Sequence, residues 1–316
     1  MARFMVTVLM AVRDTPAGML RHAIASIGGQ TWRDFEFLIL DDGSQQPDTL
    51  AELERCAAAD SRIRIERGPP RGLTRTLNRG LQLAEGDLIA RQDADDWSEP
   101  QRLERQVAFL CEHPEVGLCG TNSWTHRDDG RPLWTTRLPE SGAAIRQALW
   151  LGNPFVHGST LFRAELARLV GGYRQEFPCA QDYDFFWRLS DASGAANLAE
   201  PLYHYRYNRG AVSARRAAEQ GRAQRAARFL AEARRSGDVE DVGEALAAAE
   251  SRNGAEPLRA ALKQIDHQML AGDLRTAGRA YARLLMGHPG NGLAWGKLLR
   301  WAVYSSVPPA REWCFR

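Results

Sequence analysis

An α/β fold with a mostly parallel sheet flanked by helices, followed by a C-terminal helical region, is predicted for this 316-residue chain by three observations. Short apolar runs alternate with longer stretches of helical period up to Leu110. Polar and acidic residues stand directly after the apolar runs. Beyond Ser213, glycine and proline thin out while alanine and arginine rise. Strand and helix in alternation imply a sheet covered on both faces, and such sheets bind ligands beyond the carboxyl ends of their strands.

The first apolar run, Val6–Val12, reads as a buried strand, because Arg13 and Asp14 end it too soon for a membrane span and flank it wrongly for a signal peptide. Leu20–Ile27 follows with helical period. The pair is repeated by Phe35–Leu40 with Leu50–Cys56, by Ile63–Ile65 with Leu73–Leu83, and by Asp87–Ala90 with Leu103–Leu110. After Pro114 the pattern is less regular, with strands predicted at Val116–Gly120 and Ser159–Phe162 and a Trp-containing stretch from Trp124 to Trp134 between them. This half completes the sheet and shapes a second pocket. Leu258, Leu262, Ile265 and Met269 recur at helical spacing, so residues 1–214 form one domain and 215–316 a helical region.

Composition excludes several classes. With 44% apolar and 25% charged residues, the chain is an ordinary soluble globular protein and not a disordered one. Cys56, Cys111, Cys119, Cys179 and Cys314 lie far apart without paired spacing, which argues against a zinc site or disulfide framework and for a reducing cytoplasm. The net charge of +2 decides little, and no nucleic-acid partner is expected.

The most informative segment is Asp93-Ala94-Asp95-Asp96, directly after the apolar Leu88-Ile89-Ala90. Three carboxylates in one loop raise one another's proton affinity unless a cation sits between them, and oxygen-only ligands favour a hard divalent ion. A metal bound to phosphate fits such a loop. An isolated Asp-x-Asp is usually only an acidic turn, so its company decides. Past the other strand ends stand Arg13-Asp14, Asp41-Asp42-Gly43-Ser44 and Arg67 to Gly72.

Several further segments, in order, carry a family likeness: Val8-Leu9-Met10-Ala11-Val12, Gln30-Thr31 with Phe35 to Ser44, Asn78-Arg79-Gly80 through Ala84-Glu85-Gly86, Ile89 to Asp96, Pro114-Glu115-Val116-Gly117, and Gln181-Asp182-Tyr183-Asp184. Over about residues 4 to 213 the chain resembles a family 2 glycosyltransferase of the GT-A type, an inverting, nucleotide-sugar-dependent enzyme. The resemblance implies a Rossmann-like sheet and Mn2+ or Mg2+ as cofactor. It also implies donor binding by Ala11, Val12, Arg13, Asp41, Asp42, Arg71, Arg75, Asn78, Asp93 and Ala94. Asp95 and Asp93 are its expected metal ligands, and Asp182 its catalytic base. Asp41 or Asp42 would accept from an imide N–H, which points to a UDP-sugar first and a dTDP-sugar next. Two departures stand out. Gln181-Asp182 replaces the common Glu-Asp, and Tyr205-Arg206-Tyr207-Asn208 replaces Tyr-Arg-x-His, leaving Asn208 where a His often helps hold metal or diphosphate.

An inverting transfer needs a base opposite the leaving group. Asp182 is the candidate and Asp184 its competitor; Tyr183, Phe185, Phe186 and Leu189 predict a packed helix on which Asp184 serves as an N-terminal charge. Arg71, Arg75 and Arg206 are candidates to neutralise diphosphate. His157 and Gln181 are assigned to the donor or acceptor pocket, and Trp97 and Trp124 are placed to stack on a sugar.

Seven arginines against two glutamates from Arg215 to Arg235 suit either an anionic lipid surface or a solvated helix face. Breaks at Ala271-Gly272-Asp273-Leu274 and His288-Pro289-Gly290 divide the tail into short helices. Trp295, Leu298, Leu299, Trp301 and Val303 are assigned to packing on the catalytic domain, a homodimer contact or the membrane. The function expected is sugar transfer to a glycan or lipid-linked saccharide in bacterial cell-surface polysaccharide synthesis, in the cytoplasm or at the inner face of the membrane. A sugar nucleotidyltransferase and a catalytically silent glycan-binding or assembly scaffold are the alternatives.

Overall fold

The computed structural model describes residues 4–127, 130–207, 216–251, 274–287 and 295. The chain divides into two compact units, one formed by the residues through Trp124 with Thr136–Tyr205, the other by Thr125–Thr135 with the chain from Arg206 onward.

In the first unit β1 (Val6–Val12), β2 (Phe35–Asp41), β3 (Ile63–Arg67) and β4 (Leu88–Arg91) alternate with α1 (Ala17–Gly28), α2 (Pro47–Ala59) and α3 (Leu73–Leu83). β1 pairs in parallel with β2 and β4, and β2 with β3. There follow β5 (Trp97–Ser98), α4 (Arg102–Glu112), β6 (Val116–His126), β7 (Pro132–Thr135), α5 (Gly142–Leu149), β8 (Leu161–Arg163), α6 (Ala164–Leu169), α7 (Gln181–Ala192) and β9 (Gly194–Arg206), of which β7 and the last residues of β6 and β9 belong to the second unit. The strand order is β3-β2-β1-β4-β8-β6-β9-β5. β8 runs antiparallel to β4 and β6, and β5 antiparallel to β9, so the less regular sequence beyond Pro114 corresponds to the antiparallel half. The strand expected from Ser159 begins only at Leu161. Ser159 Oγ donates to Val156 O at 2.9 Å and Thr160 Oγ1 to His157 O at 2.9 Å, which holds a tight turn over His157–Ser159 instead.

The alternation of β1 sorts its side chains between two layers. Val6, Val8, Met10 and Val12 join Leu20, Ala23, Ile24 and Ile27 of α1 and Leu53 of α2 in one buried cluster. On the other face a Cβ added at Gly80 of α3 would lie 2.3 Å from Leu9 Cδ1, so this glycine lets α3 seat closely on the sheet. Each fully buried aliphatic side chain contributes about 1.5–3 kcal/mol, and these layers hold the strand ends still.

In the second unit α8 (Ala217–Ser236) and α9 (Val242–Ser251) pack through small residues, Ala223, Ala226, Ala227 and Ala231 against Ala245 and Ala249. Arg225 Nη2 donates to Ala249 O at 2.8 Å. Gly237, with φ of +78°, ends α8 in the left-handed conformation. A further helix, α10, spans Leu274–Gly287. Among the described residues no helix is long and apolar enough to cross a membrane. Asn208, Arg215, Leu258, Leu262, Ile265, Met269, Leu298, Leu299, Trp301, Val303, Cys314 and the breaks at 271–273 and 288–290 lie outside the described residues.

Candidate functional site

The parallel register brings the chemistry-bearing residues to one sheet edge. Val12 pairs with Asp41, Ala11 with Leu40, and Leu9 with Arg91, so the ends of β1, β2 and β4 open on the same side. A cleft of about 820 Å³ forms there, lined by Asp41, Asp42, Arg71, Arg75, Asn78 and Gln175 among others.

The two buried aspartates at the end of β2 have different duties. Asp42 accepts from Arg71 N at 2.7 Å, Thr76 Oγ1 at 2.8 Å and Gly72 N at 3.0 Å, which anchors the amino end of α3. Arg13, exposed, approaches it to 3.9 Å. Asp41 Oδ1 accepts from Ser44 N at 3.0 Å, and among the described residues no hydrogen bond reaches its Oδ2. Between them the chain turns at Gly43, whose φ is +74° and where a Cβ would lie 2.7 Å from Pro70 Cδ. Arg75 Nε donates to Gln175 Oε1 at 3.1 Å across the mouth of the cleft.

Behind the acidic loop stands a buried cation that the sequence reading missed. Arg91, fully buried, donates from Nη2 to Asp93 Oδ1, from Nη1 to Gln92 O, and from Nε to His157 Nε2 at 3.3 Å. A guanidinium only donates, so His157 Nε2 accepts and its neutral ring carries the proton on Nδ1. Tyr173 Oη lies 3.0 Å from the same nitrogen. Burial, then the charge of Arg91, pushes His157 below the usual histidine range, while Asp93 and Asp182 act in the opposite direction. Burial likewise raises the phenol of Tyr173.

Arg102 is also fully buried. Its Nη1 donates to Arg91 O at 3.0 Å and Gly158 O at 2.6 Å, and its guanidinium lies 5.5 Å from the centroid of the Tyr203 ring. Desolvation brings it down to about 10. Tyr203 Oη donates to Asp96 Oδ2 at 2.9 Å and accepts from Asp93 N at 3.2 Å, so one phenol fixes both ends of the loop. Ala94 is buried within it, and Asp93 and Asp95 are half-buried. The signal in the sequence was Arg91 itself, a cation directly beside carboxylates that require one.

Asp182, half-buried at the start of α7, accepts from Asn153 Nδ2 at 2.8 Å. The preceding Ala180 has φ of +55°, a left-handed conformation unusual for a residue with a side chain. Gln181 is buried in the first turn. Asp184 is fully engaged, with Oδ1 accepting from Arg174 at 3.0 Å and Oδ2 from Arg188 at 2.6 Å. Trp97 stacks against His22 and His204 at centroid distances of 4.7 and 4.8 Å. Trp124 is 36% exposed. Arg206 ends β9 and belongs to the second unit, and Asn208 lies outside the described residues.

Among the described residues no three His, Cys, Asp or Glu side chains group as a metal site. Asp93 and Asp95 nevertheless suit one kind of divalent ion. Mg2+ and its like are commonly held by one or two carboxylates with substrate phosphates completing the shell, and these two half-buried side chains are carboxylates of that kind.

Residues 7–169 match the family described as Glycosyl transferase family 2. The chain is 32% identical over 223 residues to the O-antigen biosynthesis protein RfbC of Myxococcus xanthus, a match covering 67% of this chain but 16% of RfbC. It is 29% identical over 198 residues to the amylovoran biosynthesis glycosyltransferase AmsE of Erwinia amylovora, covering 62% of this chain and 74% of AmsE. In fold it is similar to the mannosyltransferase PcManGT of Pyrobaculum calidifontis in complex with GDP-Man and Mn2+, with a TM-score of 0.58 and 19% identity over 99% of this chain and 83% of that one. It is likewise similar to S. aureus TarS 1-349 in complex with UDP-GlcNAc, with a TM-score of 0.56 and 18% identity over 88% and 83% of the two chains.

Proposed function

The chain belongs to glycosyl transferase family 2, and from that premise we propose that it moves a sugar, with inversion, from a UDP-sugar to a glycan or lipid-linked saccharide. One observation carries the reading: Arg91 bonds both Asp93 and His157, and the His157 ring lies 5.8 Å from that of Phe186 on α7, the helix that carries Asp182 about ninety residues beyond Asp93 in sequence. The fold thus gathers the acidic loop and the candidate base about one histidine.

The acceptor hydroxyl attacks the anomeric carbon and its proton passes to Asp182. The new C–O bond forms as the bond to the phosphate oxygen breaks, and the nucleoside diphosphate leaves with the bonding electrons. Asp41 receives the nucleobase, because its Oδ2 is the oxygen open to an imide N–H while Asp42 is spent on α3. That favours uracil, then thymine. Arg71 and Arg75 line the same cleft and are placed to pair with diphosphate oxygens. Asp93 and Asp95 would hold Mn2+ or Mg2+, which supplies neutralising charge to the leaving diphosphate when bound. The proposal assigns this chemistry to residues 1–214.

The biosynthetic setting proposed is bacterial cell-surface polysaccharide, at the cytoplasmic face of the membrane. The names of RfbC and AmsE support the polysaccharide part of this setting.

Melting of the protein with UDP, dTDP, GDP and CDP, each with and without manganese, tests the donor. Ligand at about 100 times its dissociation constant adds roughly 2.7 kcal/mol. A manganese-dependent shift confined to UDP, or to UDP and dTDP, is expected; a shift with GDP alone overturns the assignment of Asp41 to an imide. Asp182→Asn should retain the shift while losing transfer, and transfer within tenfold of wild type would remove Asp182 as the base.

A further inference from the structure

We propose that Asn153 is the positioning residue for Asp182, fixing one carboxylate oxygen so that the other faces the acceptor hydroxyl; this rests on the reading of Asp182 as the base. Asn153 Nδ2 donates to Asp182 Oδ2 at 2.8 Å, and among the described residues no hydrogen bond reaches Oδ1. The amide cannot swing away, since its own Oδ1 accepts from Phe155 N at 3.1 Å. That second bond also settles which end of the amide faces Asp182.

The surroundings hold both partners. Phe155 is buried and meets Phe186 of α7 edge-on at 5.3 Å, which ties the Asn153 turn to the helix that carries Asp182. Asp182 sits one residue inside α7, directly beyond the left-handed Ala180 and buried Gln181. A left-handed residue with a side chain costs free energy, and such a cost persists where the surroundings over-determine the conformation. Asp184, two residues on, has both oxygens bound by arginines, which leaves Asp182 as the carboxylate of this turn with an open oxygen. A carboxylate hinged at Cβ rotates over several orientations; one tied at Oδ2 presents Oδ1 in one direction, and a base gains rate from that restriction.

Two variants and two readouts test it. Asn153→Ala removes the donor; Asn153→Asp keeps the shape and the bond to Phe155 N but sets a second carboxylate beside Asp182, so that the pair shares a proton. The titration of the Asp182 carboxyl carbon, labelled with ¹³C and assigned by its loss in Asp182→Asn, needs no substrate. Its midpoint should rise by at least half a pH unit in Asn153→Ala and by more than one unit in Asn153→Asp. With UDP-glucose, UDP-N-acetylglucosamine and GDP-mannose as donor probes, release of nucleoside diphosphate by Asn153→Ala should fall at least tenfold in kcat with KM for the donor within twofold.

A midpoint unmoved in both variants, with the melting temperature retained, overturns the proposal whatever the turnover. A moved midpoint together with unchanged kcat overturns it as well. Failure of the underlying reading looks different: transfer then survives in Asp182→Asn while the midpoint still moves in the Asn153 variants.

Discussion

Asn78 and Tyr173 are joined twice. Asn78 Nδ2 donates to Tyr173 O at 2.7 Å, and Asn78 Oδ1 accepts from Tyr173 N at 2.8 Å. The amide therefore behaves like a strand partner, pinning α3 to the segment that leads to α7. Tyr173 Oη continues the line to His157 Nε2 at 3.0 Å. A residue assigned by resemblance to the donor site is thus also the link between the cleft at the strand ends and the cluster around His157.

Asn78→Ala breaks both bonds and should cost about 1–3 kcal/mol at roughly 0.5–1.5 kcal/mol each. Asn78→Asp keeps the acceptor for Tyr173 N but sets a carboxylate oxygen against the Tyr173 carbonyl oxygen, so it should cost at least as much as Asn78→Ala at neutral pH. Melting temperatures of the two variants check the order, and an Asp variant more stable than the Ala variant would show that the bond from Tyr173 N outweighs that repulsion.

Asp95→Ala addresses the cation. The variant should show the same nucleotide-induced melting shift as wild type without manganese, and little or none of the extra shift that manganese brings. Retention of the full manganese increment would move the metal assignment away from this loop, with Asp93→Asn as the parallel arm.

Gly158 lies against the loop from behind. A Cβ there would stand 1.9 Å from Tyr203 Oη and 2.9 Å from Asp93 Oδ2. Gly158→Ala must displace the phenol that holds Asp93 N and Asp96, and overpacking of this kind costs about 1–3 kcal/mol. Tyr203→Ala removes the colliding oxygen and the ring carbon that would stand 2.4 Å from the same Cβ, but also the two loop hydrogen bonds. The double variant should be more stable than the sum of the single losses predicts, and strict additivity in denaturant unfolding would argue against the collision.

The parallel half was legible because apolar alternation and the polar residues after each strand are local signals. Leu73–Leu83 is predicted and observed with the same ends. The antiparallel half was less so, since Ser159 and Thr160 bond their own turn and delay β8. Within the site the carboxylates were visible as motifs, but their supports were not. Arg91, Arg102, Tyr203 and Asn153 act through partners on other elements, and Arg102 looks like any charged residue of a helix until its burial is known. Trp97, assigned by position to stack on a sugar, also stacks against His22 and His204, partners from other elements that its own segment did not announce.

The pH dependence of stability should separate two groups. His157 is held below the ordinary value of 6.5, so above 6.5 neither folded nor unfolded chain binds a proton there. As pH falls below 6.5 the unfolded chain takes one up first, and folding stability declines until the folded-state value is passed. Glu52 behaves in a lower window. Its buried carboxylate accepts from Arg55 and Arg21, the latter through Nη2 at 2.7 Å, and these bonds bring it from 4.5 down to about 2. Its contribution is fully present above 4.5 and is lost as pH falls through about 2. Unfolding free energy measured by denaturant between pH 8 and 3 should therefore decline in two stages. His157→Gln, whose side-chain oxygen can still accept from Arg91, should remove the stage below 6.5 and leave the acid one. Glu52→Gln should do the reverse, lowering stability at neutral pH while flattening the profile below 4.5. If His157→Gln left the upper stage in place, another group would have to be its source.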